Sequence, residues 1–95
     1  MNNAKFIENC KKLVLAYANA HPDKTDNVSI TLDDVYVVWL CKTLQNNKAL
    51  LSTTLTDGMY YEVTYDGDKK AMYFDAYRKI GNMSFHVDEF SEVEL

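Results

Sequence analysis

Glycine is scarce in this chain: three residues in 95, at Gly58, Gly67 and Gly81. A phosphate cradle needs a glycine-rich loop that lets backbone N–H groups close on the anion, and no stretch here can form one. Cysteine is limited to Cys10 and Cys41. The two fit no CxxC or Cys/His pattern, so a zinc site is not expected, and both read as small buried hydrophobes of a reducing compartment. The two histidines, His21 and His86, have no ligand partners at useful spacing. Asp33-Asp34 lacks the DxDxDG context of a calcium loop, and capping or turn formation explains the pair more simply. Ser52, Thr53 and Thr54 sit on no nucleophile elbow. The expectation is therefore no catalytic residue, no metal and no cofactor. Long apolar runs are missing too, since none reaches the roughly 18 residues of a membrane span. The opening MNNAKFIENCKK is polar and amphipathic rather than basic then apolar, unlike a signal peptide. These absences lead us to expect a soluble cytoplasmic protein.

What is present is apolar and aromatic. A hydrophobic fraction of 47% with 13% aromatics supports a real core in a single domain. The net charge of −4 is unevenly spread: residues 1–50 hold five acids against six lysines, and residues 51–95 hold nine acids against four bases. Nucleic-acid binding needs a basic footprint to replace phosphate counterions, and this charge balance argues against that class.

Phe6, Ile7, Cys10, Leu13, Val14, Tyr17 and Ala18 form one continuous stripe at helical spacing, predicting a helix over 4–19 capped by Asn2 or Asn3. One stripe suits a helix lying on a sheet. Glu8 and Lys12 are well placed for an i,i+4 pair. His21-Pro22 ends the helix, and a polar connection runs over 20–34, where Thr31 to Asp34 has capping-box spacing. Val35 to Leu44 reads as a strand with Val35, Val37, Trp39, Cys41 and Thr43 on one side and Tyr36, Val38, Leu40, Lys42 and Leu44 on the other. Both sets are largely apolar, so this strand is expected to be central, covered on both faces, with Trp39 buried. Gln45-Asn46-Asn47-Lys48 is the expected turn, with asparagine taking positive φ. Strands over Ala49–Leu55, Met59–Tyr65 and Lys70–Arg78 follow, separated by Thr56-Asp57-Gly58 and Asp66-Gly67-Asp68. Met83–Val87 is a candidate fifth strand, and the acidic tail 88–95 is expected to fray. The sum is an α+β domain with an N-terminal helix packed on a four- to five-stranded antiparallel meander, the sheet spanning 35–87.

Two constellations remain. Tyrosine occurs seven times, and Tyr36, Tyr60, Tyr73 and Tyr77 are the candidate protein-binding residues, because aromatics on strands serve as core or as interface anchors. Stacking of single-stranded nucleic acid on such residues is the lesser alternative, since Glu62 stands where a basic groove would need Lys or Arg. Asp57, Glu62, Asp66, Asp68 and Asp75 form a candidate acidic surface, which in a sharper reading imitates a polyanion and blocks a nucleic-acid-binding protein.

The runs DVYVVWLCKTLQNNKALLSTT and DGMYYEVTYDGDKKAMYFDAYRK together resemble a family of small uncharacterised proteins encoded in phages and prophages of Gram-positive bacteria. The resemblance covers roughly Lys5 to Lys79. It implies a context, the cytoplasm of a bacterial host, and transfers no catalytic or binding residue. The expectation is a non-enzymatic phage accessory protein that contacts a host or phage protein, in one form as an inhibitor of a host enzyme or defence system. A homodimer is expected as well, because one helix cannot cover both faces of the sheet.

Overall fold

The helical stripe buries as its spacing demands. A computed structural model describes residues 1–20 and 29–95 of the chain; the His21-Pro22 stop and Val28 lie outside the described residues. Helix α1 spans Asn3–Ala20, and Asn2 caps it, its Oδ1 accepting the Lys5 N–H at 2.8 Å. Phe6, Cys10, Val14 and Ala18, one per turn, are buried. On the outer side Glu8 pairs with Lys5 at 3.2 Å and Lys12 at 3.3 Å. Hydrogen bonds from these two ammonium groups hold the Glu8 carboxyl below its ordinary 4.5. Asn19 closes the far end of the helix onto Ile30, donating to its carbonyl and accepting its N–H, each at 3.2 Å. Thr31 and Asp34 then form the expected capping box around a single 3-10 turn, Leu32–Asp34, with the Asp34 carboxylate accepting the Thr31 N–H at 2.8 Å.

Four strands follow: β1 (Val35–Thr43), β2 (Asn46–Thr53), β3 (Met59–Asp66) and β4 (Ala71–Arg78), antiparallel and in the order β1-β2-β3-β4. This is the expected α+β meander. Its first strand corrects the expectation in two ways. Short turns place each strand beside the next, so the first strand of a meander is an edge by construction, and β1 is not central. The register between β1 and β2 also shifts by one residue between Val37 and Trp39, leaving Val38 without an opposite number. This β-bulge reverses the alternation halfway along the strand. Val35 and Val37 face the helix before it, and Leu40 does so after it, packing with Val37 against the core. Trp39 and Cys41, expected inside, are turned outward and exposed. A strand whose phase switches reads as apolar on both faces, although only one is buried.

α1 covers one face of the sheet. Ala49, Leu51, Tyr61 and Val63 meet Phe6, Cys10 and Val14 there, each of the seven at 1% exposure or less. Of these, Phe6, Val14, Leu51 and Val63 contribute roughly 1.5–3 kcal/mol each on full burial. Tyr17, Tyr61 and Phe74 form an aromatic triangle, with centroids 5.4–5.6 Å apart, joining the helix to β3 and β4. Burial, helped by Asp57 and Tyr17, pushes the Tyr61 hydroxyl up to about 12, and burial pushes the Cys10 thiol up to about 12.

The turns differ in part from expectation. β1 and β2 are joined by Leu44-Gln45, not by the asparagines, and the positive φ of 55° falls on Leu44. Asn46 and Asn47 belong to β2 instead, where Asn47 is buried and donates to Asn3 Oδ1 at 3.2 Å. The β1–β2 and β3–β4 turns clasp each other. Gln45 Nε2 donates to Asp68 Oδ1 at 2.6 Å, and the Gly67 N–H donates to Asn46 Oδ1 at 3.0 Å. At the opposite end Gly58 takes φ +70°, and its carbonyl accepts the Lys79 N–H at 2.7 Å.

The sheet has two unlike edges. The bulge breaks β1, whereas β4 keeps unbroken register with β3 over all eight residues from Met59↔Arg78 to Asp66↔Ala71. The expected fifth strand at Met83–Val87 does not join the sheet. Val87 instead forms an isolated antiparallel bridge with Val93, and Asp88 Oδ1 accepts the N–H groups of Phe90 and Glu92, each at 2.9 Å. The tail is thus folded on itself rather than frayed. No helix among the described residues is long and apolar enough to cross a membrane.

Candidate functional site

The face of the sheet opposite α1 is built from cross-strand rows, because residues directly opposed in an antiparallel pair share a face. One row runs Trp39, Leu50, Glu62, Asp75, and the next runs Cys41, Lys48, Thr64, Tyr73. Towards the other end Tyr60 opposes Tyr77, and Tyr36 opposes Ser52, whose hydroxyl donates to the Met59 carbonyl at 2.8 Å. Four aromatics stand about half exposed on this face: Tyr36 at 46%, Trp39 at 41%, Tyr73 at 47% and Tyr77 at 51%. Leu50 and Tyr60 are half-buried between them.

The four tyrosines singled out from sequence are therefore on one face, and the twist and hydrogen bonding of the sheet hold them at fixed positions. Two members of the face were not anticipated. The alternation along β1 predicts Trp39 and Cys41 in the core, and the bulge delivers them here instead. With Lys48 and Thr64 they line a shallow hollow of about 410 Å³. The Lys48 ammonium lies 3.4 Å from the Glu62 carboxylate, which offsets the like charges of Glu62 and Asp75 facing one another across β3 and β4. The face is thus aromatic with a small, largely compensated charge. Sequence held one sign of this arrangement, since a meander opened by an apolar strand must present that strand at an edge.

The acidic set is not brought together. Asp57 lies in the β2–β3 turn and accepts the Met59 N–H at 3.1 Å. Asp66 and Asp68 lie at the opposite end, Asp66 Oδ1 accepting the N–H groups of Asp68 and Lys69 while Asp68 holds Gln45. Glu62 and Asp75 are on the open face. Three of the five carboxylates shape turns, and no continuous line of negative charge joins them.

The remaining polar groups are dispersed. His86 Nδ1 lies 3.2 Å from Glu94 Oε2 in the exposed C-terminal segment; His21 is outside the described residues. Asp33 is exposed, and Asp34 serves the Thr31 cap. Among the described residues no group of three or more His, Cys, Asp and Glu side chains is arranged to hold a metal ion. Cys10 is buried beneath α1 with a raised thiol, while Cys41 is open on the sheet, its sulfur 3.6 Å from Thr43 Oγ1.

One family model, described as Family of unknown function (DUF6275), matches residues 7–87, well over half of the chain. The match takes in the whole sheet with its three turns and the segment after Lys79 as far as Val87. No curated protein and no solved structure matches the chain.

Proposed function

The chain belongs to the DUF6275 family, and from that premise we propose that it is a small non-enzymatic protein that works through protein contacts made by the helix-free face of its sheet. The observation that carries this reading is the set of four half-exposed aromatics, Tyr36, Trp39, Tyr73 and Tyr77, on a face whose reverse is sealed by α1. Tyrosine and tryptophan are favoured as interface anchors because each offers a large rigid area with few rotatable bonds. A near-compensated pair at the centre, Lys48 and Glu62, suits a surface that must lose its water. Along the face the chemistry is that of contact, with aromatic rings rather than converging titratable groups.

The resemblance of roughly Lys5 to Lys79 to phage and prophage proteins supports the finer reading. In it the protein is a phage accessory factor in the bacterial cytoplasm, binding a host or phage protein and acting as an inhibitor of a host enzyme or defence system. The polyanion-mimic alternative loses ground because its acids lie at opposite ends of the sheet and most are engaged in turns.

The test is site-specific photo-cross-linking in producing cells. A photoreactive side chain at Tyr73 should capture a protein in a discrete band, and one at Lys12, on the outer side of α1, should not. Equal capture from both positions, or none from Tyr73, would refute the assignment of the face.

A further inference from the structure

We infer that the protein seated on the open face is a second copy of this chain, and that the part seated is its C-terminal arm, residues 80–95. The inference rests on reading the open face as a protein-contact surface and names the partner.

The arm carries a second unpartnered apolar set. Ile80, Met83, Phe85, Phe90, Val93 and Leu95 are between 52% and 104% exposed, and none belongs to the buried core cluster. Yet the arm is folded. The Glu94 N–H reaches the His86 carbonyl at 2.8 Å and the Asp88 N–H reaches the Glu92 carbonyl at 2.9 Å, around the Val87–Val93 bridge and the Asp88 turn. A two-stranded piece of this kind is marginal in water without a surface to lie on. The chain is also spread out. Its radius of gyration is 16.2 Å, where about 12–13 Å is usual for a globular domain of this length.

Area decides the occupant. A buried aromatic covers about 150–250 Å², so four half-exposed ones leave on the order of 400 Å² of the face open. The six arm residues, with Ile80, Met83, Phe90 and Leu95 each more than three-quarters exposed, offer at least as much again. A specific complex needs about 800 Å² from each partner. The face falls short of that alone; face and arm together reach it. A two-fold pair in which each arm lies on the other's sheet uses both surfaces once per chain and closes without leftover contacts.

The experiment uses the full chain and two variants, Trp39→Asp on the face and Phe90→Asp on the arm, with circular dichroism confirming that each keeps the wild-type fold. Sedimentation equilibrium should find a concentration-dependent dimer for wild type and a dissociation constant raised at least about tenfold for each variant alone. Mixing the two variants should restore dimer, because the arm of the Trp39→Asp chain remains intact for the face of the Phe90→Asp chain. A symmetric face-to-face pair would be weakened by Trp39→Asp and untouched by Phe90→Asp, which overturns the inference. A wild-type monomer at every concentration overturns it as well, including the case in which the arm folds back on its own sheet. Dimer unrestored on mixing has the same consequence. If wild type stays monomeric while Tyr73 still captures another protein, the partner named here is wrong and the reading of the face stands. If no association depends on Trp39 or Tyr73, that reading falls too.

Discussion

Alanine at Gly67 puts the clasp between the two turns to a test in which the sign of the effect carries the answer. A Cβ built on Gly67 would overlap the Gln45 carbonyl oxygen and lie 2.7 Å from Gln45 Cβ and 2.9 Å from its Cγ. The closest atom is backbone, which cannot swing aside as a side-chain end does, so one turn must move. Moving it breaks the Gly67–Asn46 and Gln45–Asp68 hydrogen bonds, which are exposed and contribute near the low end of 0.5–1.5 kcal/mol each. Forcing atoms into a filled space costs typically 1–3 kcal/mol. The expected loss is therefore about 2–4 kcal/mol. Gly67 does not require a left-handed backbone. Were the turns apart, alanine would stabilise by about 0.4–1 kcal/mol through the unfolded chain alone. Urea unfolding of the two proteins measures the difference, with unchanged slope required so that the midpoint reports stability. Gly81→Ala is the control, because its Cβ meets nothing within 4 Å, and it should lie between neutral and about 1 kcal/mol more stable. A Gly67→Ala protein as stable as wild type would refute the turn contact.

Three further outcomes follow from the same geometry. Trp39→Ala, measured at concentrations where the chain is monomeric, should cost about 1–2 kcal/mol rather than the 3–5 of a buried tryptophan, since the ring is 41% exposed; a loss near 4 in urea unfolding would return Trp39 to the core. A chromogenic disulfide reagent should titrate one thiol per native chain quickly and the second only in denaturant, with Cys41→Ser removing the fast phase, because Cys10 is buried and its thiol is raised to about 12; fast reaction of both would contradict that burial. Tyr61, raised from 10.0 to about 12, folds as the neutral phenol, so its contribution is complete below pH 10 and is lost as pH rises towards 12; in stability-versus-pH curves wild type should lose stability relative to Tyr61→Phe across that window, and parallel curves would refute it.

The helix, the meander and most of the turns could be read from residues alone because each depends on local spacing. Phe6, Cys10, Val14 and Ala18 recur once per helical turn, and Asp66-Gly67 and Asp57-Gly58 mark reversals by their own chemistry. Asn2 caps α1 for the same local reason. The open face was legible only in part. Tyr36, Tyr60, Tyr73 and Tyr77 could be singled out as strand aromatics, but that they share a face depends on the register between strands, and Trp39 and Cys41 were out of reach because a single unpaired residue at Val38 reverses the count. A bulge is decided by how two strands fit, a property of the pair that neither strand announces. Leu44 at φ 55° is a similar case: the neighbouring asparagines are the residues suited to that backbone, but the register of β1 against β2 places leucine there. The arm escaped for a different reason. Its apolar residues follow no period, and they find no place in the core of their own chain.

The unlike edges of the sheet set a limit on growth. Strands add to strands edgewise wherever a straight run of free backbone N–H and C=O groups is on offer, and a unit with two such runs can extend without end. Here only β4 offers an unbroken run of eight residues, and the kink at Val38 spoils the other side. When crowding or damage brings sheets together edge to edge, one joining event consumes the regular edge of both molecules. The molecule then behaves in polymerisation as a monofunctional unit: it can couple once and thereby terminates the chain, so fibre formation requires that the bulge first be ironed out.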